Sequence, residues 1–136
     1  MIRGLRNNNP GNIRHDGVKW RGEVVPSQDK QFKQFETMPW GYRAMFHLIN
    51  NYSRLHGCDT ARKIISRWAP PQDNNHTEAY ITAVCNDARV TSDGTITTTN
   101  RDVMVPIIAA MARVENGTPA VMADVNAGWE LFIKYK

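Results

Sequence analysis

Glu115 is the residue whose type and position point most directly to chemistry. It closes a stretch with helical periodicity, after "AAMARV" and directly before Asn-Gly. A helix C-terminus carries partial negative charge, which disfavours a second negative charge and raises the pKa of a carboxyl group. Such a group could serve as a general acid near neutral pH. The plain alternative is a solvated glutamate at a helix end, where the dipole costs only about 0.3–1 kcal/mol. The residues alone leave the two interpretations even.

A second concentration of polar side chains lies near the N-terminus, in "RGLRNNNPGNIR". Its proline and glycine predict a loop with neither regular helix nor regular strand over residues 3–15. Side-chain amides bind sugar hydroxyls and N-acetyl groups well, and polar loops often line sites. The alternative, slightly favoured by the residues alone, is that the asparagines bond to their own backbone. The candidates for ligand contacts are Asn7, Asn8, Asn9 and Asn12.

Other catalytic signatures are missing from the chain. It has no glycine-rich phosphate loop, Cys-x-x-Cys, His-Glu-x-x-His or Gly-x-Ser-x-Gly pattern. The four histidines are scattered, so we expect no metal site and no cofactor. Cys58 and Cys85 fall in apolar helical patterns and are expected to be buried and reduced, not bridged or catalytic.

Charge and length narrow the class of partner. The formal net charge of +4 suits an acidic partner such as nucleic acid, an anionic membrane or a bacterial cell wall. No nucleic-acid-binding motif is present, so nucleic acid is not expected. The 136 residues predict one domain, 1–136, and we expect a monomer. No apolar run reaches membrane-spanning length and no secretory signal is recognisable, which predicts synthesis in the cytoplasm without stable membrane insertion.

The elements that must position these groups are mostly helical. Apolar periodicity and capping residues predict helices at 38–56, 61–68, 78–88, 102–114 and 119–135. Thr37, Thr60, Thr77 and Thr118 are the expected N-caps. Residues 1–36 are predicted to be loop with one or two short strands, and residues 90–100 to be either a hairpin or an extended connection ending in a cap. The fold class predicted is mainly α (α+β), with about five helices and a short N-terminal β/loop region.

Five segments in this order resemble a known family. "RGLRNNNPGNIR", "KWRGEV", "QDKQFKQFETMPWGYRAM", "RKIISRWAPPQDNNHTEAYI" and "MARVENG" look like phage-associated lysozyme-like proteins, labelled phage structural protein P5 or virion protein. The resemblance covers roughly residues 3–117. It implies a compact lysozyme-like domain that cleaves peptidoglycan between N-acetylmuramic acid and N-acetylglucosamine, as a muramidase or lytic transglycosylase.

The resemblance also implies a place of action and partners. Peptidoglycan is the expected partner, with other phage virion or lysis proteins as further candidates. The protein would act in the periplasm and cell wall or from the virion, as an endolysin, a virion-associated lysin or a secreted effector. The competing hypothesis is a non-catalytic peptidoglycan-binding or structural virion protein.

The family's Glu-Asn-Gly falls on Glu115, which the resemblance makes the general acid. Glycosidases commonly use a second carboxylate. Asp29 matches the family's aspartate, and Glu36 lies before a helix start, where the positive dipole end keeps a carboxylate ionised. Each could instead be structural, Asp29 in a turn and Glu36 as a helix-terminal charge.

Further substrate contacts are expected around the cleavage site, with local alternatives. The family commonly has glutamate after "WAPP", whereas this chain has Gln-Asp, so any role of that carboxylate rests on Asp73. Aromatic side chains could stack on sugar rings, although core packing is their commoner fate. The remaining candidates for substrate binding are Arg14, Trp68, Asn74 and Tyr80.

The order of the two polar features suggests a rearranged lysozyme. In lysozyme-like proteins the asparagine-rich segment follows the catalytic glutamate, whereas here it starts the chain and Glu115 comes near its end. We therefore predict a circularly rearranged version of the lysozyme arrangement. This hypothesis requires the loop at residues 7–12 to lie beside Glu115.

Overall fold

Six α-helices and one short antiparallel hairpin make up the fold, seen in a computed structural model of residues 1–136. The elements in chain order are α1 (Arg3–Arg6), β1 (Glu23–Val24), β2 (Gln34–Phe35), α2 (Met38–His56), α3 (Ala61–Trp68), a 3₁₀ turn (Pro71–Asp73), α4 (Thr77–Ala88), α5 (Arg101–Asn116) and α6 (Met122–Lys134). The predicted class, mainly α with a small N-terminal β/loop region, is confirmed.

The bounds predicted for α2 and α3 are confirmed. Gly57 ends α2 in the left-handed conformation, with φ of 66°, which glycine adopts without a steric penalty. Thr60 caps α3, because its side chain accepts a hydrogen bond from the backbone N–H of Lys63 at 3.1 Å. Thr37 lies at the N-cap of α2 in extended conformation but forms no side-chain cap bond.

The later helices depart from the predicted bounds at their ends. Thr77 is the first residue of α4 and not its cap, because its hydroxyl donates to the Ala69 carbonyl at 2.6 Å. Helix α5 is longer than predicted at both ends, and the Asn100 side chain caps it through the backbone N–H of Asp102. Helix α6 begins only after Val121, which is extended.

Residues 90–100 form the extended connection that was one of the two predicted alternatives. The segment contributes one isolated bridge, between Thr60 and Thr95, and no named strand. It ends in the Asn100 cap of α5. Both cysteines are free; Cys58 is buried and Cys85 half-buried.

The core lies between the long helices. Helix α2 packs along α6, and α4 packs along α5, so that side chains such as Met45, Ile49, Ile108 and Phe132 are fully buried. No helix is both long and apolar enough to cross a lipid bilayer.

The N-terminal region is more ordered than the sequence suggested. Residues 3–6 form one helical turn, so the prediction that residues 3–15 hold no regular helix is wrong there. Strand β1 pairs with β2 in the register Glu23 to Phe35. Lys33 is fully buried beside this hairpin, with Nζ 2.9 Å from Oε1 of the equally buried Glu23. This buried ion pair fixes the hairpin that faces the helices.

Candidate functional site

A cleft of about 440 Å³ opens where the N-terminal loop faces the ends of α3 and α5. It is lined by residues 11–16, Phe32, Leu48, Tyr52, Trp68, Ala69, Asp73, Asn75 and Glu115. The cleft therefore combines aromatic and apolar side chains with polar groups, as small-molecule and sugar sites do.

Glu115 is held in this cleft by two hydrogen bonds. The Asn12 side-chain amide donates to Oε1 at 3.1 Å, and the Tyr80 hydroxyl donates to Oε2 at 3.0 Å. These donors come from the N-terminal loop and from α4, while Glu115 itself belongs to the last turn of α5. The carboxyl group is thus fixed by three separate parts of the chain.

The surroundings of Glu115 favour its protonated form. Burial raises the pKa of its carboxyl group, and the hydrogen bonds from Asn12 and Tyr80, together with the nearby polar edge of Trp68, lower it, with burial prevailing. Burial, together with the charge and hydrogen bond of Glu115, raises the pKa of Tyr80 well above its usual range. Tyr80 therefore stays protonated and keeps donating, while Glu115 has the raised pKa that a general acid requires.

Backbone geometry explains why asparagine recurs in the loop. Asn8 and Asn12 adopt left-handed conformations, with φ of 51° and 50°, which asparagine tolerates better than most side chains. The loop lies directly on α2: a Cβ at Gly41 would collide with the Asn8 carbonyl and approach Pro10 Cδ to 2.6 Å. A Cβ at Gly11 would likewise lie only 2.7 Å from Cζ2 of Trp68. These contacts hold the loop in the position in which the Asn12 side chain reaches Glu115.

Three of the four asparagines of the N-terminal loop that were predicted to bind substrate do not line the cleft. Asn7 and Asn9 are fully buried. The Asn7 amide donates to Asp29 Oδ2 at 3.1 Å, and that of Asn9 donates to the carbonyls of Ile13 and Lys33, each at 2.9 Å. The Asn8 amide lies 3.2 Å from the Phe35 carbonyl. Only the Asn9 bond to Ile13 is the local backbone bond that the slightly favoured alternative expected; the other amide bonds reach residues more than twenty positions away and hold the loop in place. Asn12 alone reaches Glu115.

Asp29 and Glu36, the predicted second carboxylates, also lie outside the cleft lining. Asp29 is buried and accepts two hydrogen bonds from the Arg3 guanidinium, at 2.5 and 2.8 Å. The Arg3 hydrogen bond leads the effects that hold the pKa of Asp29 well below its usual range, against the opposing effect of burial. Glu36 is exposed just ahead of α2. Neither carboxylate shares the cleft with Glu115.

The other predicted contacts are divided between the cleft and its surroundings. Arg14, Trp68 and Asp73 line the cleft, and the Arg14 guanidinium stacks over the Phe32 ring at 4.8 Å. Tyr80 is buried and reaches the site through Glu115. Asn74 lies in a neighbouring depression, which also includes His76 and Glu115.

Asp16 is the cleft carboxylate that the sequence did not single out. Its Oδ1 lies 2.8 Å from Lys33 Nζ. Partial burial by itself raises the pKa of Asp16, but hydrogen bonds from Lys33, Val18 and Trp20 and the charge of Lys33 bring it below the usual value. The only signal in the sequence is that "NIRHD" continues directly from the asparagine-rich loop. The cleft thus contains a carboxyl group with a raised pKa, Glu115, and one with a lowered pKa, Asp16.

A known relative matches the chain across the elements that form this cleft. The chain is 35% identical over 132 residues to Protein P5 of Pseudoalteromonas phage PM2, a match that covers 94% of this chain and 80% of the relative. It belongs to the family of this phage protein. No protein-family model matches the chain. The association with bacteriophages that the sequence resemblance implied is thereby confirmed, at the level of a relative.

Two further features of the family member bear on the site. The loop at residues 7–12 lies beside Glu115, as the rearranged-lysozyme hypothesis required, through a contact between residues 103 positions apart. No group of three or more histidine, cysteine, aspartate or glutamate side chains is arranged to hold a metal ion. The side chains that line the cleft include carboxyl groups, amides and aromatic rings.

Proposed function

We propose that this P5-family protein cleaves the glycan strands of peptidoglycan at the β-1,4 bond between N-acetylmuramic acid and N-acetylglucosamine. The observation that carries the proposal is Glu115, a carboxyl group with a raised pKa, held by Asn12 and Tyr80 at the wall of a 440 Å³ cleft. The enzyme would be a muramidase or a lytic transglycosylase with a permuted lysozyme-like arrangement.

Glu115 would act as the general acid. Its proton passes to the glycosidic oxygen as the bond to the anomeric carbon breaks, so that the leaving sugar departs as a neutral alcohol and an oxocarbenium-like centre develops. Tyr80 and Asn12 then donate to the carboxylate that remains. These two donated bonds would stabilise the ionised product.

The group that completes the reaction divides the two enzyme classes. In a lytic transglycosylase the 6-hydroxyl of the muramic acid attacks, and one glutamate is enough. An inverting hydrolase needs a second carboxylate to activate water. Asp16, with its lowered pKa, is the better candidate for that role than Asp29 or Glu36, because it lines the cleft.

Sugar binding would rest on the remaining cleft walls. Tyr52 and Trp68 offer aromatic surface, and Asp73 and Asn75 offer hydrogen-bonding groups. Arg14 adds a positive charge for the acidic wall polymer. The composition of the cleft suits an N-acetylated, carboxylate-bearing glycan.

Loss of turbidity in a suspension of outer-membrane-permeabilised bacteria tests the proposal. Wild-type protein is expected to clear the suspension, and Glu115→Gln to clear it at least about 100-fold more slowly, the usual contribution of a general acid. Glu130→Gln is the matched control, because Glu130 is exposed on α6, away from the cleft. Full clearing by Glu115→Gln would remove Glu115 as the acid.

The alternative function is a non-catalytic peptidoglycan-binding or structural virion protein. The half-exposed aromatic wall at Trp68 and the positive charge of Arg14 suit binding as well as turnover. Wild-type protein that sediments with purified cell walls but leaves walls of several chemical types uncut would favour this alternative.

A further inference from the structure

Two buried amide oxygens next to Glu115 have no hydrogen-bond donor. They are Oδ1 of Asn12 and Oδ1 of Asn116. Both lie against the backbone of Gly4, where a Cβ would collide with Asn116 Oδ1 and lie 3.0 Å from Asn12 Oδ1. Two acceptors that face the same point without a donor are an unfavourable arrangement, since buried oxygens normally have a partner.

The orientation of the Asn116 amide is fixed. Its Nδ2 donates to the carbonyl of Pro10 and to that of Ala112, each at 2.9 Å. Turning this amide over would place its oxygen against two carbonyl oxygens. Asn116 Oδ1 must therefore stay where it is, as an acceptor beside Gly4.

The Asn12 amide is free to turn. Its only hydrogen bond runs from Nδ2 to Glu115 Oε1 at 3.1 Å. A carboxamide is planar, and its oxygen and nitrogen have nearly the same shape, so half a turn exchanges donor and acceptor. The turned amide would offer Oδ1 to Glu115 and direct Nδ2 toward Asn116 Oδ1. This second orientation requires Glu115 to donate, and hence to carry a proton.

We propose that Asn12 is a proton-linked positioning residue whose amide turns over when Glu115 loses or gains its proton, with Asn116 as the fixed acceptor that favours the protonated state. With Glu115 protonated, its hydroxyl donates to Asn12 Oδ1, and Asn12 Nδ2 donates to Asn116 Oδ1. With Glu115 ionised, Nδ2 turns back to the carboxylate, and both amide oxygens lose their donors. The proposal rests on the proposed function in taking Glu115 as the acid that uses this proton.

Other groups face Glu115 and must be kept unchanged in the test. Tyr80 faces it from α4 as a hydrogen-bond donor, and the neutral Trp68 faces it from α3. The charged and titratable groups around the same cleft and the adjoining depression are Arg14, His15, Asp16, Tyr52, Asp73 and His76. None of these is altered in the experiments below.

Nuclear Overhauser contacts of the Asn12 side-chain amide test the proposal in the full chain. As pH falls through the midpoint of Glu115, contacts between the Asn12 amide protons and the α-protons of Gly4 are expected to appear. They should vanish above that midpoint, where the amide protons point to Glu115. Contacts that stay the same across the titration would overturn the proposal.

Two controls fix the interpretation. In Glu115→Gln the new side-chain amide can donate to Asn12 Oδ1 at every pH, so the contacts to Gly4 should be present throughout the titration. Asn9 serves as an internal reference, because its two donated bonds to Ile13 and Lys33 and its accepted bond from the Ile13 N–H lock its orientation. The Asn9 contacts should not change with pH.

The role of Asn116 is tested through the midpoint of Glu115, measured by carbon NMR. Asn116→Ala removes the acceptor, and the midpoint should fall by at least about 0.5 pH units, a threefold change in acid dissociation. Asn126→Ala is the matched control, because the Asn126 amide also donates to the carbonyl four residues before it. An unchanged midpoint in folded Asn116→Ala would contradict this role; if that variant fails to fold, the contacts in the wild type still decide.

These measurements need no turnover. An inactive protein in which the Asn12 contacts change with pH would refute the proposed function and leave the amide rotation standing. An active protein in which the Asn12 contacts do not change with pH would refute the amide rotation and leave the proposed function standing.

Discussion

At the scale of single residues, the protonation of Glu115 links the site to stability. Burial raises the pKa of this carboxyl group in the folded protein, so the native state binds the proton more tightly than the unfolded chain. Below about pH 4.3, the pKa of glutamate in the unfolded chain, Glu115 is protonated in both the folded and the unfolded state, and the stabilisation that the protonated carboxyl group gives the folded protein is fully present. As pH rises through the folded pKa, this contribution is lost, because the buried group must ionise.

Glu115→Gln should therefore stabilise the protein near neutral pH. The neutral amide replaces a carboxylate that is costly to bury, so the unfolding free energy at pH 7 is expected to exceed that of the wild type. The difference should shrink as pH falls below about 4.3, where Glu115 is protonated in both states. Thermal unfolding followed by circular dichroism from pH 4 to 8 measures it. A variant less stable than the wild type at pH 7 would contradict the assigned environment of Glu115.

Asp29 has the opposite linkage, and its substitution should affect stability and not chemistry. Its folded pKa lies below the usual range because of Arg3, so its stabilisation is present above the unfolded pKa of about 3.9 and is lost as pH falls through the folded value. Asp29→Asn should thus lower the unfolding free energy at pH 7. The difference in unfolding free energy between this variant and the wild type should become smaller in acid. Turnover of the folded variant should stay within about twofold of the wild type, since Asp29 lies outside the cleft lining.

A larger fall in turnover with unchanged stability would restore Asp29 as a candidate catalytic carboxylate. Urea unfolding and wall-clearing rates, measured on the same preparation, separate the two outcomes.

At the scale of elements, the site depends on how the N-terminal loop lies on α2. Gly41 leaves room for the Asn8 carbonyl and Pro10 to approach the helix, and this approach sets the position of Asn12. In an exposed helix, alanine in place of glycine would stabilise by roughly 1 kcal/mol. Here the added methyl group has no space.

Gly41→Ala should destabilise the fold by about 1–3 kcal/mol through overpacking and should also slow wall cleavage, because the loop that carries Asn12 must move away from Glu115. The matched control is Gly128→Ala, whose methyl group would meet Tyr42 Cβ at 2.5 Å in the contact of α6 with α2. That variant should lose stability and keep its turnover when folded. Equal turnover in both folded variants would contradict the role of the loop contact.

Local signals predicted some elements and not others. Helix α3 was predictable because Thr60 caps it and "APP" ends it within a few residues. Thr77 showed the limit: its sequence context is typical of a cap, but its hydroxyl bonds to the Ala69 carbonyl, eight residues away. Bonds of this kind depend on tertiary packing, which a local pattern does not contain.

At the scale of the whole molecule, the candidate site was predictable in its centre and not in its surroundings. The helix-ending position of Glu115 is a local feature, and its closeness to the N-terminal loop followed from the rearrangement hypothesis and is met by Asn12. The burial of Asn7 and Asn9 and the ion pair of Asp29 depend on contacts more than twenty residues apart. Sequence reasoning therefore named these residues as ligands or catalysts, whereas they build the loop.

Analysis of the products released from purified cell walls tests the central claim most directly. Wild-type protein is predicted to release disaccharide-peptide fragments that end in reducing N-acetylmuramic acid if water completes the reaction, or in its 1,6-anhydro form if the 6-hydroxyl does. Glu115→Gln should release neither. Walls left intact by the wild type, or the same fragments released at full rate by Glu115→Gln, would contradict the claim that Glu115 cleaves the glycan strand.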